Sequence, residues 1–286
     1  MSDIDLVPIT DADAPAAARF LHDELNPAVT VEAWTRLLRP PWAESAPHRG
    51  YMLRDGDRIV GVYAAVHSAR QVAGQPVPVC NLAAFCVLEE QRMHSVRLMR
   101  ALIRSREYVF TDFSPSGNVV AMNERLGFIR IDTATRLVIN PPWPRGGGVR
   151  VSSDPEAIAV ILQGQDAQVH RDHRDAAAAR HLVVQSGDEY AYLVFRAHTL
   201  KRLRLFALPL YVGGSRALLQ REWRAVRSHL LTRHGLPFTL AERRILGFSA
   251  GLGRDLAEPR ARMVRGTGLD PGEIDYLYSE LALVSW

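Results

Sequence analysis

The passage that decides the fold is residues 77–117, VPVCNLAAFCVLEEQRMHSVRLMRALIRSREYVFTDFSPSG. Its first part, 77–87, is a long apolar stretch that predicts a strand. Apolar residues then recur on one side of the chain, which predicts a helix over 95–104. A second apolar stretch, 108–113, predicts a short buried strand. Strand, helix and strand in this order form a crossover unit, so we expect the two strands to be parallel.

The residues before this passage predict two helices and an antiparallel meander. Helical spacing of apolar residues favours helices over 11–25 and 31–38. An Asp-Gly pair at 55–56 is typical of a hairpin turn, with strands at 50–53 and 58–66 on either side. The strand that opens the crossover unit is the third member of the meander.

A helix and a linker are predicted after the crossover unit. The helix is expected over 118–126 and ends at Gly127, which suits the left-handed position after a helix. One or two strands are expected within 128–139. The segment 141–148, PPWPRGGG, then predicts a linker.

The linker divides the chain into two expected domains, residues 1–142 and 149–286. The second domain repeats an apolar strand, a small-residue turn and a helix about 120 residues after the first, which suggests duplication. Its elements are expected to be a helix from 155 to 162, strands at 189–197 and 202–211, a long helix from Gly213 to His234, and strands at 238–246 and 274–284.

Composition indicates a globular protein without a strong polyanion signal. The formal charge is +4 and the pI about 9.3, but nearly every base is arginine and the bases are interleaved with acids. We therefore do not expect a nucleic-acid partner, although a basic groove for an anion such as CoA or RNA stays open as an alternative. No signal peptide or membrane-spanning stretch is evident. Two cysteines, Cys80 and Cys86, lie on one strand too far apart to bridge and suit the cytoplasm.

Three stretches of the first half resemble the GNAT superfamily of acyl-CoA N-acyltransferases. The hairpin 53–62, LRDGDRIVGV, resembles the meander of that family, and 87–97, VLEEQRMHSVR, falls where the family has its pyrophosphate loop. The helix 118–128, NVVAMNERLGF, resembles the later family helix that ends in Leu-Gly-Phe. The resemblance implies an α/β (α+β) fold with a mixed, mostly antiparallel sheet, a splayed central parallel pair and flanking helices, in two halves.

The resemblance also implies a site for acyl-CoA, with acetyl-CoA as the expected cosubstrate. Its pyrophosphate would lie at the start of the helix near Ser95, where backbone N–H groups are unpaired. The family motif has two glycines in this loop, and this chain has Ser95 and Arg97 in their places. Ser95 is expected to cap the helix. The residues expected to contact the cofactor are Val87, Arg92, Met93, His94, Ser95, Val96, Arg97 and Asn118.

Four polar residues are the candidates for catalysis of an amine acylation. Asp112 ends the second parallel strand and is expected to be the general base. Asn81 lies in the middle of an apolar strand, where an amide needs partners. Asn123 takes the place of the tyrosine that many family members use as a general acid, so Ser114 or another hydroxyl would have to replace that acid.

The remaining polar motifs are expected to be structural. His170, Asp172 and His173 do not complete a metal site, and no metal is expected. The turn at Gly213 to Ser215 could bind an anion, but the second half lacks the Leu-Gly-Phe helix. We therefore expect a degenerate half that supports the structure or shapes the substrate site.

Three functions follow from these residues. The first is transfer of an acetyl or other acyl group from acyl-CoA to an amine of a small molecule. Residues 81–87 and 111–118 resemble GNAT proteins of surface-polysaccharide gene clusters, and this resemblance implies an amino sugar as the acceptor. The second is a Fem-like aminoacyl transferase that uses charged tRNA. The third is a non-catalytic CoA-binding or structural protein. Whether the chain forms a homodimer stays open.

Overall fold

A computed structural model describes residues 4–43, 45–72, 75–144, 148–200 and 203–285. Contacts divide the chain into two compact units. Unit 1 comprises 1–131, 261–274 and 278–286, and unit 2 comprises 132–260 and 275–277. No helix within the described residues is long and apolar enough to cross a lipid bilayer.

Unit 1 is built on a mixed sheet in the order β1-β2-β3-β4-β5-β14-β6, with β14 contributed by a later part of the chain. Its strands are β1 (Ile4–Pro8), β2 (Gly50–Asp55), β3 (Arg58–Val72), β4 (Gln75–Val87), β5 (Val109–Asp112), β6 (Ile129–Arg130) and β14 (Met263–Arg265). Its helices are α1 (Ala14–Glu24), α2 (Val31–Leu38), a 3₁₀ helix (Glu89–His94), α3 (Ser95–Leu102), α4 (Gly117–Arg125) and α10 (Glu280–Leu283).

The core of unit 1 lies between the sheet and α3. Leu98, Met99 and Leu102 of α3 turn to the sheet. They pack on residues of several strands, among them Leu53, Val60, Leu82, Phe110 and Met263. Burial of this apolar surface holds the crossover helix against the sheet.

Unit 2 repeats the strand pattern of unit 1 in the order β8-β9-β10-β11-β12-β7-β13. Its strands are β7 (Thr135–Ile139), β8 (Arg150–Ser152), β9 (Arg180–Ser186), β10 (Glu189–Leu200), β11 (Leu203–Gly214), β12 (Phe238–Glu242) and β13 (Arg254–Asp255). Its helices are α5 (Pro155–Ile161), α6 (Gly164–His173), α7 (Arg216–Arg221), α8 (Trp223–His234) and α9 (Arg243–Leu246).

Both sheets contain one parallel pair with helices in the connection, β4 with β5 and β11 with β12. In each sheet the next strand is antiparallel, β14 in unit 1 and β7 in unit 2. The fold class predicted from the sequence, a mixed α/β fold in two GNAT-like halves, agrees with this arrangement. The two units do not divide at the predicted linker, 141–148. Strand β7, before the linker, pairs within the second sheet, and β14, after it, pairs within the first.

Several local predictions were confirmed. Helix α2 has the predicted bounds, and Thr30 caps it by accepting a hydrogen bond from the Ala33 N–H. Helix α4 ends before Gly127, which has the positive φ of 87° that favours glycine. The hairpin between β2 and β3 turns at the predicted Asp-Gly pair.

Three predictions in the second half were wrong. The stretch 274–284 is not a strand: its apolar residues are buried around the short helix α10, which Ser279 caps through the Leu281 N–H. The strand expected at 238–246 ends at Glu242 and gives way to α9. The long helix expected from Gly213 is instead the end of β11 followed by α7 and α8. Hydrophobicity indicated burial correctly in these places but not the backbone conformation.

Candidate active site

The centre of unit 1 is a V-shaped opening between β4 and β5. The two strands pair over only three residues each and last meet at Asn81 and Thr111. Beyond that point β4 continues to Val87 beside β3, whereas β5 ends at Asp112. The parallel pair predicted from the sequence is therefore splayed, and beyond Asn81 the β5 side of β4 has no strand partner among the described residues.

A bulge on β4 lies just beyond the apex of the V. Ala64 is opposite Ala84 and Ala65 is opposite Leu82, so Ala83 is an extra residue without a register partner on β3. A bulge of this kind turns a backbone N–H away from the regular ladder.

Asn81 clamps the apex of the V. Its Nδ2 donates to the carbonyl oxygen of Thr111 at 3.3 Å and to the Thr111 hydroxyl at 3.2 Å. Its Oδ1 is buried without a hydrogen-bond partner among the described residues. The partners that a buried amide needs are thus largely supplied by the neighbouring strand.

Asp112 and Asn123 form a buried pair behind the strand end. Asn123 is 0% exposed and donates from Nδ2 to Asp112 Oδ2 at 2.8 Å, with the Met263 sulfur 3.7 Å away. Asp112 Oδ1 accepts from the Ser114 backbone N–H at 3.3 Å. Both oxygens of Asp112 are therefore engaged, and Asn123 ties α4 to β5 from the interior of the unit.

Ser114 connects this pair to a carboxyl group that the sequence analysis missed. The Ser114 hydroxyl donates to Glu280 Oε1 at 2.7 Å. Glu280 lies on α10, which packs against β4 and α2, and it is 0% exposed. Its Oε2 is buried without a hydrogen-bond partner among the described residues. The segment 274–284 is mostly apolar but holds two acids, Asp275 and Glu280, and nothing in the sequence singles out Glu280.

Burial sets the protonation of the two carboxyl groups. It raises the pKa of Asp112 to about 6, against the opposing hydrogen bonds from Asn123 and Ser114 and the charge of Arg262. Burial likewise raises the pKa of Glu280 to about 7, and the Asp112 charge adds to this effect. Burial therefore favours the protonated form of both carboxyl groups, and the charge of Arg262 opposes this effect in each.

The loop predicted to hold pyrophosphate is a 3₁₀ helix that leads directly into α3. Its backbone uses the N–H groups of Gln91 and Ser95, which donate to Leu88 and Arg92. The prediction that Ser95 caps α3 was wrong: His94 is in the N-cap position, and the Ser95 hydroxyl donates to the Arg92 carbonyl at 2.6 Å. The first turn of α3, at Val96 and Arg97, still presents backbone N–H groups.

The side chains near this loop are mainly at the surface. Arg92 pairs with Glu89 at 2.6 Å, and Arg97 donates to His94 Nδ1 at 3.3 Å. Met93 is 82% exposed and Val96 is 41% exposed. Val87 ends β4 half-buried, and Asn118 is exposed in the first turn of α4. The structure therefore groups the predicted cofactor residues around the end of β4 and the start of α3, with Asn118 on a separate helix.

The glycine turn of unit 2 is filled by acidic side chains of the same unit. A methyl group on Gly213 would lie 1.9 Å from Asp166 Oδ1. Asp166 accepts hydrogen bonds from Tyr190 at 2.9 Å and Tyr211 at 2.7 Å. Ser215 caps α7 through the Leu218 N–H and donates to Glu189. The Asp166 carboxylate therefore lies against the turn 213–215, the place where the sequence left an anion site open.

The histidines of α6 have structural contacts. His173 donates from Nδ1 to the Val169 carbonyl at 3.0 Å, and the His170 ring lies edge-on to that of His181 at 5.2 Å. Asp172 accepts from Gln168 on the helix surface. Across the described residues, no group of three histidine, cysteine or acidic side chains is arranged to hold a metal ion.

Comparison with solved structures identifies the fold. A GCN5-related N-acetyltransferase from Kribbella flavida is 16% identical with a TM-score of 0.59, covering 92% of this chain and 71% of its own. The GCN5-related N-acetyltransferase from Anabaena variabilis has 10% identity, a TM-score of 0.59 and coverage of 92% and 72%. Saccharomyces cerevisiae N-myristoyltransferase, solved with myristoyl-CoA, has 12% identity, a TM-score of 0.54 and coverage of 100% and 85%.

These likenesses define the class of fold: the chain has the fold of GNAT N-acyltransferases, as its sequence resemblance predicted. No protein-family profile and no curated protein match the sequence. At these identities the likeness concerns the fold, and the activity has to be argued from the site.

Proposed function

We propose that this protein is an acyl-CoA N-acyltransferase that moves an acyl group, with acetyl as the expected one, to an amine of a small molecule. The observation that carries the proposal is the splay of β4 and β5 beyond Asn81 and Thr111, with the Ala83 bulge next to it. An open strand edge can pair with the amides of pantetheine. A backbone N–H at the bulge can polarise the thioester carbonyl.

Ser114 and Glu280 are the proposed route for the proton of the attacking amine. Ser114 is the half-buried member of the cluster, and its hydroxyl already donates to Glu280. As the amine attacks, its proton passes to the Ser114 oxygen while the Ser114 proton passes to Glu280. This requires Glu280 to be ionised, and a pKa of about 7 lets it accept a proton near neutral pH.

Asp112 has a supporting part in this mechanism. Its two oxygens are held by Asn123 and the Ser114 N–H, which leaves it less able to take a proton from a substrate than Glu280. Its charge raises the pKa of Glu280, and it holds the turn that presents Ser114. We therefore propose Glu280 as the general base in place of Asp112, with Asn81 holding the apex of the V.

The proposed cofactor contacts follow the start of α3. The Val96 and Arg97 N–H groups and the side chains of Arg92 and His94 are within the segment that would meet a pyrophosphate. The backbone of this segment offers fewer unpaired N–H groups than a glycine loop does. The N–H groups of Gln91 and Ser95 already donate hydrogen bonds within the 3₁₀ helix. In a glycine loop, backbone N–H groups bind the pyrophosphate. We propose that arginine side chains take over much of this binding here.

An amino sugar as the acceptor, a cytoplasmic location and domains at 1–142 and 149–286 remain proposals from the sequence. A Fem-like aminoacyl transferase and a non-catalytic protein remain the competing functions. Homodimer formation can be measured by sedimentation. No described feature of unit 1 favours tRNA over CoA.

Calorimetry with acetyl-CoA and with mixed tRNA separates these functions. Binding of acetyl-CoA together with release of free thiol in the presence of an amine panel is the expected result. The variant Ser114→Ala should retain acetyl-CoA affinity but lose about 100-fold in turnover, the usual contribution of a proton-transfer group. Ser105→Ala is the matched control, because its hydroxyl bonds Glu107 at the surface. Binding of tRNA alone, or of neither ligand, would exclude the proposal.

A further inference from the structure

A large groove lies within unit 2, between the antiparallel pair β7–β12, the start of α8 and the segment 248–254. Its volume is about 1080 Å³, at the upper end of the range for small-molecule sites. Its floor is apolar and is formed by Leu137, Ile139, Trp223, Phe238 and Phe248. Ile139 and Phe238 are register partners on the two strands, and Ile139 is 64% exposed. A solvated apolar floor of this size favours an apolar ligand.

Three arginines line the groove without acidic partners. Within the described part of the chain, no carboxylate lies within ion-pair distance of Arg224, Arg227 or Arg254. Arg221, at the edge of the groove, is different because it pairs with Glu189 at 3.1 Å and Glu222 at 3.4 Å. The groove therefore has an excess of positive charge that the unit itself does not balance.

The positions of these arginines are set by local contacts. Arg224 and Arg227 are three residues apart and share one side of α8. The Arg224 guanidinium lies 4.8 Å from the ring centre of Trp143, and Arg227 donates from Nη1 to the Ile139 carbonyl at 3.1 Å. Arg254 is opposite Leu137 in the pairing of β13 with β7. Both charge and apolar surface thus meet along the same strand, β7.

The environment of Arg227 favours an anion. Burial lowers the pKa of this side chain, and the neighbouring charge of Arg224 lowers it further. Two cations that repel each other in a partly desolvated place are stabilised by a carboxylate or phosphate between them.

We propose that this groove is a binding site for an anionic amphiphile, with its apolar chain on the β7–β12 floor and its carboxylate or phosphate head between Arg224 and Arg227. The site is separate from the proposed acyl-transfer residues, all of which belong to unit 1. It gives the second half a ligand-binding role of its own, which does not depend on CoA.

Titration calorimetry on the full chain tests the proposal with three probes of equal chain length, each kept below its micelle concentration. We expect dodecanoate or dodecyl phosphate to bind at least about tenfold more tightly than dodecanol, the difference for one charge-assisted hydrogen bond. The tighter of the two anions identifies the head group. Equal binding of dodecanol, or no binding of either anion, would overturn the proposal.

Variants locate the site independently of the ligand. Arg227→Gln and Arg224→Gln should each weaken binding of the preferred anion about tenfold, whereas Arg233→Gln, exposed near the end of α8, should not. Leu252→Asp adds a negative charge at a residue that lines the groove and is 95% exposed, so it should weaken binding without disturbing the fold. Unchanged binding in all three groove variants would contradict the assignment. Displacement of the bound anion by tRNA would indicate a nucleic-acid surface instead.

Discussion

The hydroxyl of Ser114 donates a 2.7 Å hydrogen bond to Glu280, a residue 166 positions later in the chain. Ser114 follows the end of β5, and Glu280 opens α10. This contact joins the strand end at the proposed acyl-transfer site to a carboxyl group buried in the same unit. Since Asp112 lies on the other side of Ser114, the serine stands between two acids whose pKa values are both raised.

Raising the pH should weaken unit 1. In the folded chain the pKa of Asp112 is about 6 and that of Glu280 about 7, against ordinary values of 3.8 and 4.5. Between those values the folded state binds more protons than the unfolded state, so the free energy of unfolding falls as pH rises from about 4 to about 7. We expect a loss on the order of 5 kcal/mol, about half from each group, measured by urea unfolding.

The variant Glu280→Gln provides the control for this pH dependence. An amide keeps the hydrogen bond from Ser114 and cannot ionise, so about half of the loss of stability toward neutral pH should disappear, and the half due to Asp112 should remain. Glu107→Gln at the surface should retain the wild-type dependence. An identical pH dependence in the Glu280 variant would show that the effect has another source.

Replacing Asp112 should affect turnover more than cofactor affinity. Asp112→Asn removes the charge that raises the pKa of Glu280 and leaves the Ser114 turn nearly isosteric. We expect turnover to fall by about tenfold to 100-fold with little change in the dissociation constant of acetyl-CoA, and the pH profile of turnover to move to lower pH. Asp23→Asn, an exposed change, is the comparison. Wild-type turnover would remove Asp112 from the mechanism.

A negative charge at residue 95 tests the proposed pyrophosphate site. Ser95→Glu places a carboxylate in the first turn of α3, beside the N–H groups that would face the phosphates. A carboxylate there also favours the helix itself, so loss of folding is not expected. We expect acetyl-CoA to bind at least about tenfold more weakly at low salt. Ser105→Glu serves as the matched change, and wild-type affinity in Ser95→Glu would refute the loop assignment.

A methyl group at Gly213 should destabilise unit 2. It would lie 1.9 Å from Asp166 Oδ1, a carboxylate that Tyr190 and Tyr211 hold in place. We expect Gly213→Ala to cost about 1–3 kcal/mol of unfolding free energy, the usual range for overpacking. Gly117→Ala has no atom within 4 Å of its new methyl group and should be neutral in the same thermal melt. Equal melting of both variants would contradict the packing of Asp166 on this turn.

Helices and strands that depend on local sequence patterns were predicted well. The crossover unit, helix α2 and the end of α4 at Gly127 follow from periodicity and from the conformational freedom of glycine. The prediction that Ser95 caps α3 was wrong by one residue. The N-cap is His94, because the preceding 3₁₀ helix leads directly into α3.

The candidate site was only half predictable. Asn81 was selected because a buried amide needs partners, and Asp112 because it ends a buried strand. Ser114 and Asn123 were selected through the GNAT resemblance, as the substitute for the general acid and the residue in its place. Hydrogen bonds of the structure join Asp112 to Ser114 and to Asn123. Glu280 was missed because nothing local relates a residue of the last segment to the end of β5.

The sequence by itself determined the alternation of strands and helices, because side-chain periodicity and turn chemistry act over short distances. The class of fold followed from the resemblance of three stretches to the GNAT superfamily. Tertiary structure alone decided that β14 enters the first sheet and β7 the second, and that Glu280 meets Ser114. The physical reason is that strand pairing and burial of polar groups depend on which distant segments can bury apolar surface together, and a linear pattern does not carry that choice.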